Sequence, residues 1–149
     1  MSTIDTAETF EVARAFFAGM DARDVNGIMA HVDPHASVHL VPLGLQGDAE
    51  TVGRRYFEQL VSAFPDLQVR VRRLFVGHDN TAVAEITIEG TQARDFFGIL
   101  NQEKLMDLDQ VWFLHASGGV IDQIKAYWCQ NRLYRRLGVK RLDHVTITA

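Results

Sequence analysis

The sequence predicts an α+β protein in which three helices pack on one face of a curved, mainly antiparallel sheet. Helical signals lie in the first half of the chain and strand signals in the second, an order typical of α+β domains. Short turns join the strands, which indicates antiparallel neighbours because parallel strands need a long crossover. The chain of 149 residues, 47% of them hydrophobic, is long enough for one domain with its own core.

The first half of the chain carries the three helical signals. Asp5 is followed three residues later by Glu8, the spacing of a capping box. A first helix is therefore predicted from Asp5, and a short second helix over residues 25–32. Asp48 is a candidate N-cap for the third helix, which ends before Pro65. The apolar stripe of the first helix recurs at helical intervals: Ala7, Phe10, Ala13, Phe17 and Met20.

Five strands and a short last helix complete the predicted fold. The strands, marked by alternating or β-branched residues and by turn signals, cover 37–41, 67–72, 81–91, 104–115 and 120–129. A helical segment over 132–137 ends at Gly138. We predict a single domain over 1–138, followed by a tail, 139–149, that either adds an edge strand or stays disordered.

Composition disfavours several classes of protein. No stretch approaches the roughly 18 apolar residues of a membrane helix, and the N-terminal residues lack the pattern of a signal peptide. A net charge of −4 disfavours broad attraction to nucleic acid or anionic lipid. The single Cys129 cannot form a disulfide within the chain. We therefore expect a cytoplasmic protein without a nucleic-acid or membrane partner.

Four passages carry a resemblance to a known family. They are Gly47 after the first strand, an FPDL junction at 64–67, a loop at 90–104 in step with GTHxGxFxGxxxTGK, and a stretch at 119–138 in step with GKI…Y.D…QLG. Over residues 8–138 the chain resembles the SnoaL-like polyketide cyclases, a family of the NTF2-like superfamily.

The resemblance implies an NTF2-like cone, a dimer, a deep apolar pocket between helices and sheet, and no cofactor. Members of the family close rings in aromatic polyketides by intramolecular aldol chemistry, with an Asp on the last strand as acid and base, and relatives take part in hydroxylation. In this chain Cys129 occupies the position of that Asp, and Gln92 replaces the His of the loop. Trp112 aligns with a second polar position that is often His.

Strand alternation, combined with the family pattern, predicts which side chains face the pocket. On the last strand these are Lys125, Tyr127 and Cys129; on the preceding strand they are Gln110 and Trp112. The ring of His39 is expected to reach the pocket from the first strand. The predicted substrate-binding residues are Gln92, Gln110, Trp112, Cys129, Phe17 and Tyr56.

We predict that His39, Lys125 and Tyr127 carry the chemistry. Removing a proton next to a carbonyl needs a base near the substrate and a donor for the enolate oxygen. A free imidazole titrates near neutrality, so His39 could be the base. Burial would lower the pKa of Lys125 and make it a base or a Schiff-base nucleophile, and Tyr127 or Gln92 could be the donor.

Each of these residues also has a structural interpretation that stays open at this point. Lys125 could extend to the pocket mouth and remain charged, and Cys129 could be a small buried side chain. His39 could be hydrogen-bonded and inert, while Trp112 and Tyr127 could serve as pocket wall. Gln92 and Gln110 could satisfy backbone groups.

Two further clusters of polar residues are assigned no site. Asp107 and Asp109 are placed by alternation on the face opposite Trp112, away from the cavity. His31, His35 and His39 recur every four residues, but Pro34 prevents one continuous helix through them, and on a strand they lie too far apart for one metal ion. No metal site is therefore predicted.

The predicted function is that of a cofactor-free small-molecule enzyme. Its substrate would be a flat, apolar, polyketide-like or terpenoid molecule, and its reaction a proton transfer in cyclisation, isomerisation or a step assisting hydroxylation. The alternatives are a non-catalytic ligand-binding or accessory protein with the same pocket, and a structural dimer whose cone is filled. Apolar side chains on both sheet faces predict a homodimer through the sheet.

Overall fold

A curved sheet with helices on one face forms the protein, as the sequence predicts, and the sheet has six strands rather than the five predicted. The structure is a computed structural model, which describes residues 5–140 and residue 147. The predicted C-terminal tail lies almost entirely outside the described residues. The helices are α1 (Thr6–Asp21), α2 (Val25–Met29), α3 (Arg54–Ala63) and α4 (Gln130–Arg136), and a π-helical turn, Ala49–Gly53, precedes α3. The strands are β1 (Val32–Leu40), β2 (Leu45–Asp48), β3 (Gln68–Val76), β4 (Thr81–Thr91), β5 (Leu105–Ser117) and β6 (Val120–Trp128).

The strands follow the order β2-β1-β6-β5-β4-β3 across the sheet. Strands β1 and β6 pair in parallel, and every other pair is antiparallel. Strand β1 begins at Val32, whereas the sequence predicts helix as far as that residue. The short strand β2 is also absent from the prediction, because its four residues carry no alternation of their own and depend on pairing with β1.

Aspartate caps the N-terminus of three helical segments. Asp5 Oδ1 accepts a hydrogen bond of 3.0 Å from the Glu8 amide, and Asp48 Oδ1 accepts one of 2.9 Å from the Thr51 amide. The carboxylate at the start of α2 does the same for Gly27. Each cap satisfies an amide that has no partner within the helix, and its negative charge lies at the positive end of the helix dipole. The caps predicted at Asp5 and Asp48 are thus confirmed.

The FPDL junction and the glycine of β4 are in direct contact. Asp66 Oδ1 accepts a hydrogen bond of 2.8 Å from the Thr91 amide. A Cβ at Gly90 would lie 3.1 Å from the Cβ of Phe64, so a larger residue at 90 would require the junction to shift by a few tenths of an ångström. The end of α3 is therefore fixed to the end of β4, where the loop at 92–104 begins.

The helices cover one face of the sheet, which we call the inner face, and leave the other, the outer face, as the more exposed side. Helix α1 packs against β3 to β6, and α4 packs against β5. The space between helices and inner face is filled largely by aromatic side chains. No helix in the described part of the chain is both long and apolar enough to cross a bilayer. The largest fully buried side chains include Trp112, Tyr56, Phe16, Phe17, Phe57 and Phe64.

The cap at Asp48 predicts a pH-dependent contribution to stability. Hydrogen bonds from the Thr51 hydroxyl and amide hold the pKa of Asp48 below its ordinary value of 3.8. A carboxylate whose pKa is lowered by folding stabilises the folded state fully above its unfolded-state pKa, and this contribution is lost as the pH falls through the folded-state pKa. We expect Asp48→Ala to lower the melting temperature at pH 7, and the gap to wild type to narrow below about pH 4.

The measurement is thermal unfolding of both proteins between about pH 3 and pH 7. Asp48→Asn is the matched control, because asparagine also caps helices but carries no charge. It should retain most of the stability at pH 7. A gap between wild type and Asp48→Ala that stays constant over the whole range would contradict the prediction.

Candidate functional site

One irregularity in strand β6 decides which face its side chains occupy. In the β5–β6 ladder Ala116 pairs with Ile121, and His115 pairs with Gln123. Asp122 is therefore an extra, unpaired residue, a β-bulge. Because side chains alternate with a period of two, one inserted residue reverses the faces of all that follow. Side chains beyond the bulge thus face the side opposite to the one expected by counting from Ile121.

The bulge corrects the predicted orientation of the three last-strand candidates. Lys125 and Tyr127 lie on the outer face, where Tyr127 is 40% exposed. Cys129 follows the end of β6 and is exposed. His39 is also on the outer face, since its two chain neighbours are the buried ones. The expectation that these side chains share a pocket with Trp112 is therefore wrong, and for Lys125, Tyr127 and Cys129 the reason is that it assumed an uninterrupted alternation along β6.

The three predicted catalytic residues nevertheless come together, outside the cone. His39 and Lys125 are register partners on β1 and β6. The Nζ atom of Lys125 lies 5.5 Å from the centre of the Tyr127 ring. Lys125 is exposed, so the burial on which its role as a base or Schiff-base nucleophile depended is missing.

Inside the cone, the structure brings together four of the predicted substrate-binding residues. Gln110 and Trp112 point from β5 to the inner face, as predicted, and meet Phe17 and Tyr56 from the helices. All four side chains are at most 3% exposed. Their orientation follows from the regular alternation of β5 between buried and more exposed residues.

Tyr56 lies at the centre of an aromatic cluster. Its ring is stacked on Trp128 at 5.9 Å and on Phe97 at 6.0 Å between centroids. Alternation along β6 puts Trp128 on the face opposite Lys125, so this ring could be assigned to the core from the sequence once the bulge is known. The adjacent aromatics in Phe96-Phe97-Gly98 were a weaker signal. The rings around Tyr56 belong to Phe57, Phe96, Phe97, Trp112 and Trp128.

The polar atoms of this cluster lie close together. Trp112 Nε1 donates to Gln110 Oε1 at 3.0 Å. The Gln110 side chain also lies beside the Tyr56 hydroxyl. Burial raises the pKa of Tyr56 far above its ordinary value, and the neighbouring Gln110 amide offsets only part of this rise. Tyr56 is thus a neutral O–H donor at physiological pH.

Gln92 holds the loop that covers Tyr56. Its Nε2 donates to the carbonyl oxygens of Arg94 and Ile99, both at 3.1 Å, and so ties together the two limbs of the loop. The side chain is 1% exposed, and its Oε1 has no hydrogen-bond partner among the described residues. From the sequence, Gln92 either contacts the substrate or hydrogen-bonds backbone groups. Its amide nitrogen hydrogen-bonds the backbone.

The tip of this loop is a strained turn. Phe96 and Ile99 exchange two backbone hydrogen bonds, and the residues between them, Phe97 and Gly98, both have positive φ angles, 44° and 86°. Glycine adopts such angles freely, whereas a phenylalanine there costs about 1–3 kcal/mol. The stacking of the Phe97 ring on Tyr56 helps to offset this cost.

A groove of about 430 Å³ opens beside the cluster, between the start of α3, strand β2 and the loop. Tyr56 and Phe97 both line it, together with the carboxylates of Glu50 and Glu58. Arg54 Nε donates to Glu50 Oε1 at 3.0 Å. The groove therefore combines an aromatic floor with a charged rim, and we call it the mouth groove.

The described core contains polar but uncharged side chains. The buried polar residues are Thr9, Asn80, Thr87, Gln92 and Gln110. Asp109 lies on the face opposite Trp112, as predicted, and accepts a hydrogen bond of 2.8 Å from the Thr87 hydroxyl. Within residues 5–140 and 147, no group of three or more His, Cys, Asp or Glu side chains could hold a metal ion.

The fold is shared with solved structures of low sequence identity. AclR from Streptomyces galilaeus, a proposed hydroxylase, superposes with a TM-score of 0.80 at 20% identity, covering 92% of this chain and 100% of its own. TsrD from Streptomyces laurentii gives 0.80 at 20% identity, with 93% and 100% covered. IdmH from Streptomyces antibioticus, a proposed polyketide cyclase, gives 0.72 at 16% identity, with 88% and 99% covered.

No curated protein sequence is significantly similar to the chain. A family model, by contrast, matches most of it. The SnoaL-like polyketide cyclase model covers residues 10–137, which include every helix and strand from α2 to α4 and most of α1. The chain therefore belongs to the SnoaL-like polyketide cyclase family.

Proposed function

We propose that the protein is a cofactor-free enzyme that binds a flat, apolar, polyketide-like ketone at the mouth groove and moves protons at the carbon next to its carbonyl. The observation that carries this proposal is the neutral Tyr56 hydroxyl, which lies beside Gln110 within an aromatic cluster. Cyclisation, isomerisation and a step assisting hydroxylation all require such a proton transfer. The fold shared with IdmH and AclR is consistent with the first and the last.

The donor role of Tyr56 follows from its surroundings. When a proton leaves the carbon next to a carbonyl, negative charge develops on the oxygen, and a fixed O–H donor stabilises it. A donor in a site that excludes water is more effective than one in solution. Gln110 lies beside the Tyr56 hydroxyl, and Trp112 fixes the Gln110 amide.

The base is assigned to Glu58. It is exposed, lines the mouth groove with Tyr56, and forms no ion pair among the described residues. Glu50 at the same rim is engaged by Arg54. A carboxylate free of a cationic partner can accept a proton from substrate and return it to another atom.

Access to Tyr56 requires movement of the loop at 92–104. Tyr56 is 1% exposed, and the Phe97 ring covers it. The strain at Phe97 lowers the cost of moving this ring aside. A flat ligand would then take its place in the stack over Tyr56.

Removing the Tyr56 hydroxyl tests the donor role. In D2O, wild-type protein should accelerate the exchange of the protons next to the carbonyl of 1-tetralone, a flat bicyclic ketone. Tyr56→Phe keeps the buried ring but loses the donor, and the exchange rate should fall about 10²- to 10³-fold. Exchange is followed by proton NMR. Equal rates for wild type and Tyr56→Phe would exclude Tyr56 as the donor.

Removing the Glu58 carboxylate tests the base. Glu58→Gln keeps the shape of the side chain and should reduce exchange about 10²-fold or more, the usual contribution of a positioned base. Glu11→Gln, which removes an exposed carboxylate from α1, is the control and should exchange at the wild-type rate. If both variants are equally active, the base is a different group.

One observation favours the alternative, a non-catalytic ligand-binding or accessory protein. The described core contains no charged side chain, so the only proton acceptors of the mouth groove lie at its solvent-exposed rim. Under this alternative the protein would bind 1-tetralone more tightly than tetralin, which lacks the carbonyl, and Tyr56→Phe would abolish the preference. The wild-type protein would bind 1-tetralone without accelerating the exchange of its protons above the rate in buffer.

We further propose that the protein is a homodimer formed through the β3–β4 side of the outer face. Phe75 is 47% exposed there, beside its register partner Val83. A phenylalanine exposed next to further apolar side chains is typical of an interface between subunits. In a two-fold dimer the same patch meets its own copy.

A charge at this patch should separate the subunits. Phe75→Glu should give a monomer in light scattering coupled to size-exclusion chromatography, because it places two carboxylates against each other across the two-fold axis. Leu100→Glu changes a residue that is 69% exposed on the loop and should remain dimeric. A monomeric wild type, or a dimeric Phe75→Glu, would exclude this interface.

A further inference from the structure

The rim of the mouth groove carries charged side chains of both signs, and one pair of them is already matched. Glu50 Oε1 accepts a hydrogen bond of 3.0 Å from Arg54 Nε, and Arg54 Nη1 donates to Asn26 Oδ1, also at 3.0 Å. These contacts hold the Arg54 guanidinium against the protein and commit both charges of the pair. The other charged side chains that line the groove are Arg55 and Glu58.

Arg55 supplies the mouth groove with a cation that no carboxylate neutralises within the described part of the chain. Its side chain is exposed and forms no ion pair among those residues. Glu58 follows three residues later on the same side of α3 and is assigned to proton transfer. Side chains on a helix lean toward its N-terminus, and the groove opens at that end of α3. The Arg55 guanidinium is therefore available to a ligand in the groove.

The rest of the mouth groove suits a flat ring. Its volume of about 430 Å³ is within the range of small-molecule sites. Tyr56 and Phe97 form an aromatic floor, and Leu45 and Val52 add aliphatic surface from β2 and from the turn before α3. A cation at the rim of such a groove favours a ligand with a flat apolar body and an anionic group at one end.

We propose that Arg55 binds a carboxylate on the substrate, so that the substrate class of the mouth groove is an aromatic keto acid. This inference rests on the proposed function, which places the ketone beside Tyr56. A planar guanidinium matches a planar carboxylate through two parallel hydrogen bonds. A phosphate group carries nearly twice the charge at neutral pH, and the two carboxylates of the rim, Glu50 and Glu58, would repel it more strongly.

The proposed dimer contact leaves the mouth groove open. Strand β2, which forms one wall of the groove, lies at the opposite edge of the sheet from β3. The other walls, the start of α3 and the loop at 92–104, belong to the side of the molecule that covers the inner face. The interface at Phe75 and Val83, by contrast, is on the outer face of β3 and β4.

The test compares two ketones that have the same shape and differ in charge. They are 1-tetralone-6-carboxylate and its uncharged amide, 1-tetralone-6-carboxamide, titrated into ¹⁵N-labelled full-length protein. We expect both to shift the backbone signals of Tyr56, Glu58 and Phe97, and the carboxylate to bind about fivefold more tightly than the amide. This ratio should fall as the salt concentration rises, because the ion pair is exposed to solvent.

One variant and a matched control assign the preference to Arg55. Arg55→Met removes the guanidinium, keeps an unbranched side chain and should bind the two probes with equal affinity. Arg136→Met removes an exposed guanidinium from α4, outside the mouth groove, and should keep the preference of about fivefold. Because Arg55 is exposed, its replacement leaves the core intact.

Three results would overturn the proposal. They are equal affinity of the wild type for the two probes, an undiminished preference in Arg55→Met, and shifts confined to signals outside the mouth groove. Proton exchange in D2O tests the proposed function separately. Preferred binding of the carboxylate without accelerated exchange of either probe would support the role of Arg55 and exclude the proton transfer. Accelerated exchange of both probes at equal affinity would exclude the role of Arg55 alone.

Discussion

A single inserted residue, Asp122, decides which side chains of β6 face the core and which face outward. The bulge lets Ile121 and Ile124, three positions apart, both face the core, and it turns Lys125 and Tyr127 outward. Its side chain is also used, because it binds both His115 and Ser117. Asp122 thus both shifts the register and holds two neighbouring side chains in place. An uninterrupted β6 would bring an ammonium group into the aromatic interior, at a large cost in desolvation.

The interior shows how a cone can be apolar and still direct a polar group. Six aromatic rings, with Tyr56 among them, exclude water around one phenol. The amide of Gln110 lies beside this phenol and accepts a hydrogen bond from Trp112. Each polar atom in such a group is costly to bury alone and acceptable when paired. Stacking fixes the position of the Tyr56 ring, and Gln110 lies beside its hydroxyl.

Much of the architecture could be predicted from local patterns, and the orientation of β6 could not. The caps at Asp5 and Asp48 and the bounds of β4 follow from signals within a few residues, and the inward direction of Trp112 follows from strand alternation combined with the family pattern. The bulge at Asp122 depends on how two strands pair, and nothing in the local sequence of β6 indicates it. The prediction lacks β2 for the same reason, because this strand depends on its pairing with β1. The side chains that alternation placed on the wrong face are those beyond the bulge, while Gln110 and Trp112, on a regular strand, were oriented correctly.

The parallel pairing of β1 with β6 has a consequence for how the chain reaches its fold. Residues 32–40 are synthesised well before their partner, residues 120–128. Until β6 leaves the ribosome, β1 and its hairpin with β2 have no central strand to join. Contacts this distant along the chain slow folding and leave strand edges exposed meanwhile. The polar side chains of β1 disfavour pairing of this unpaired strand edge with other chains; they include His35, Ser37 and His39.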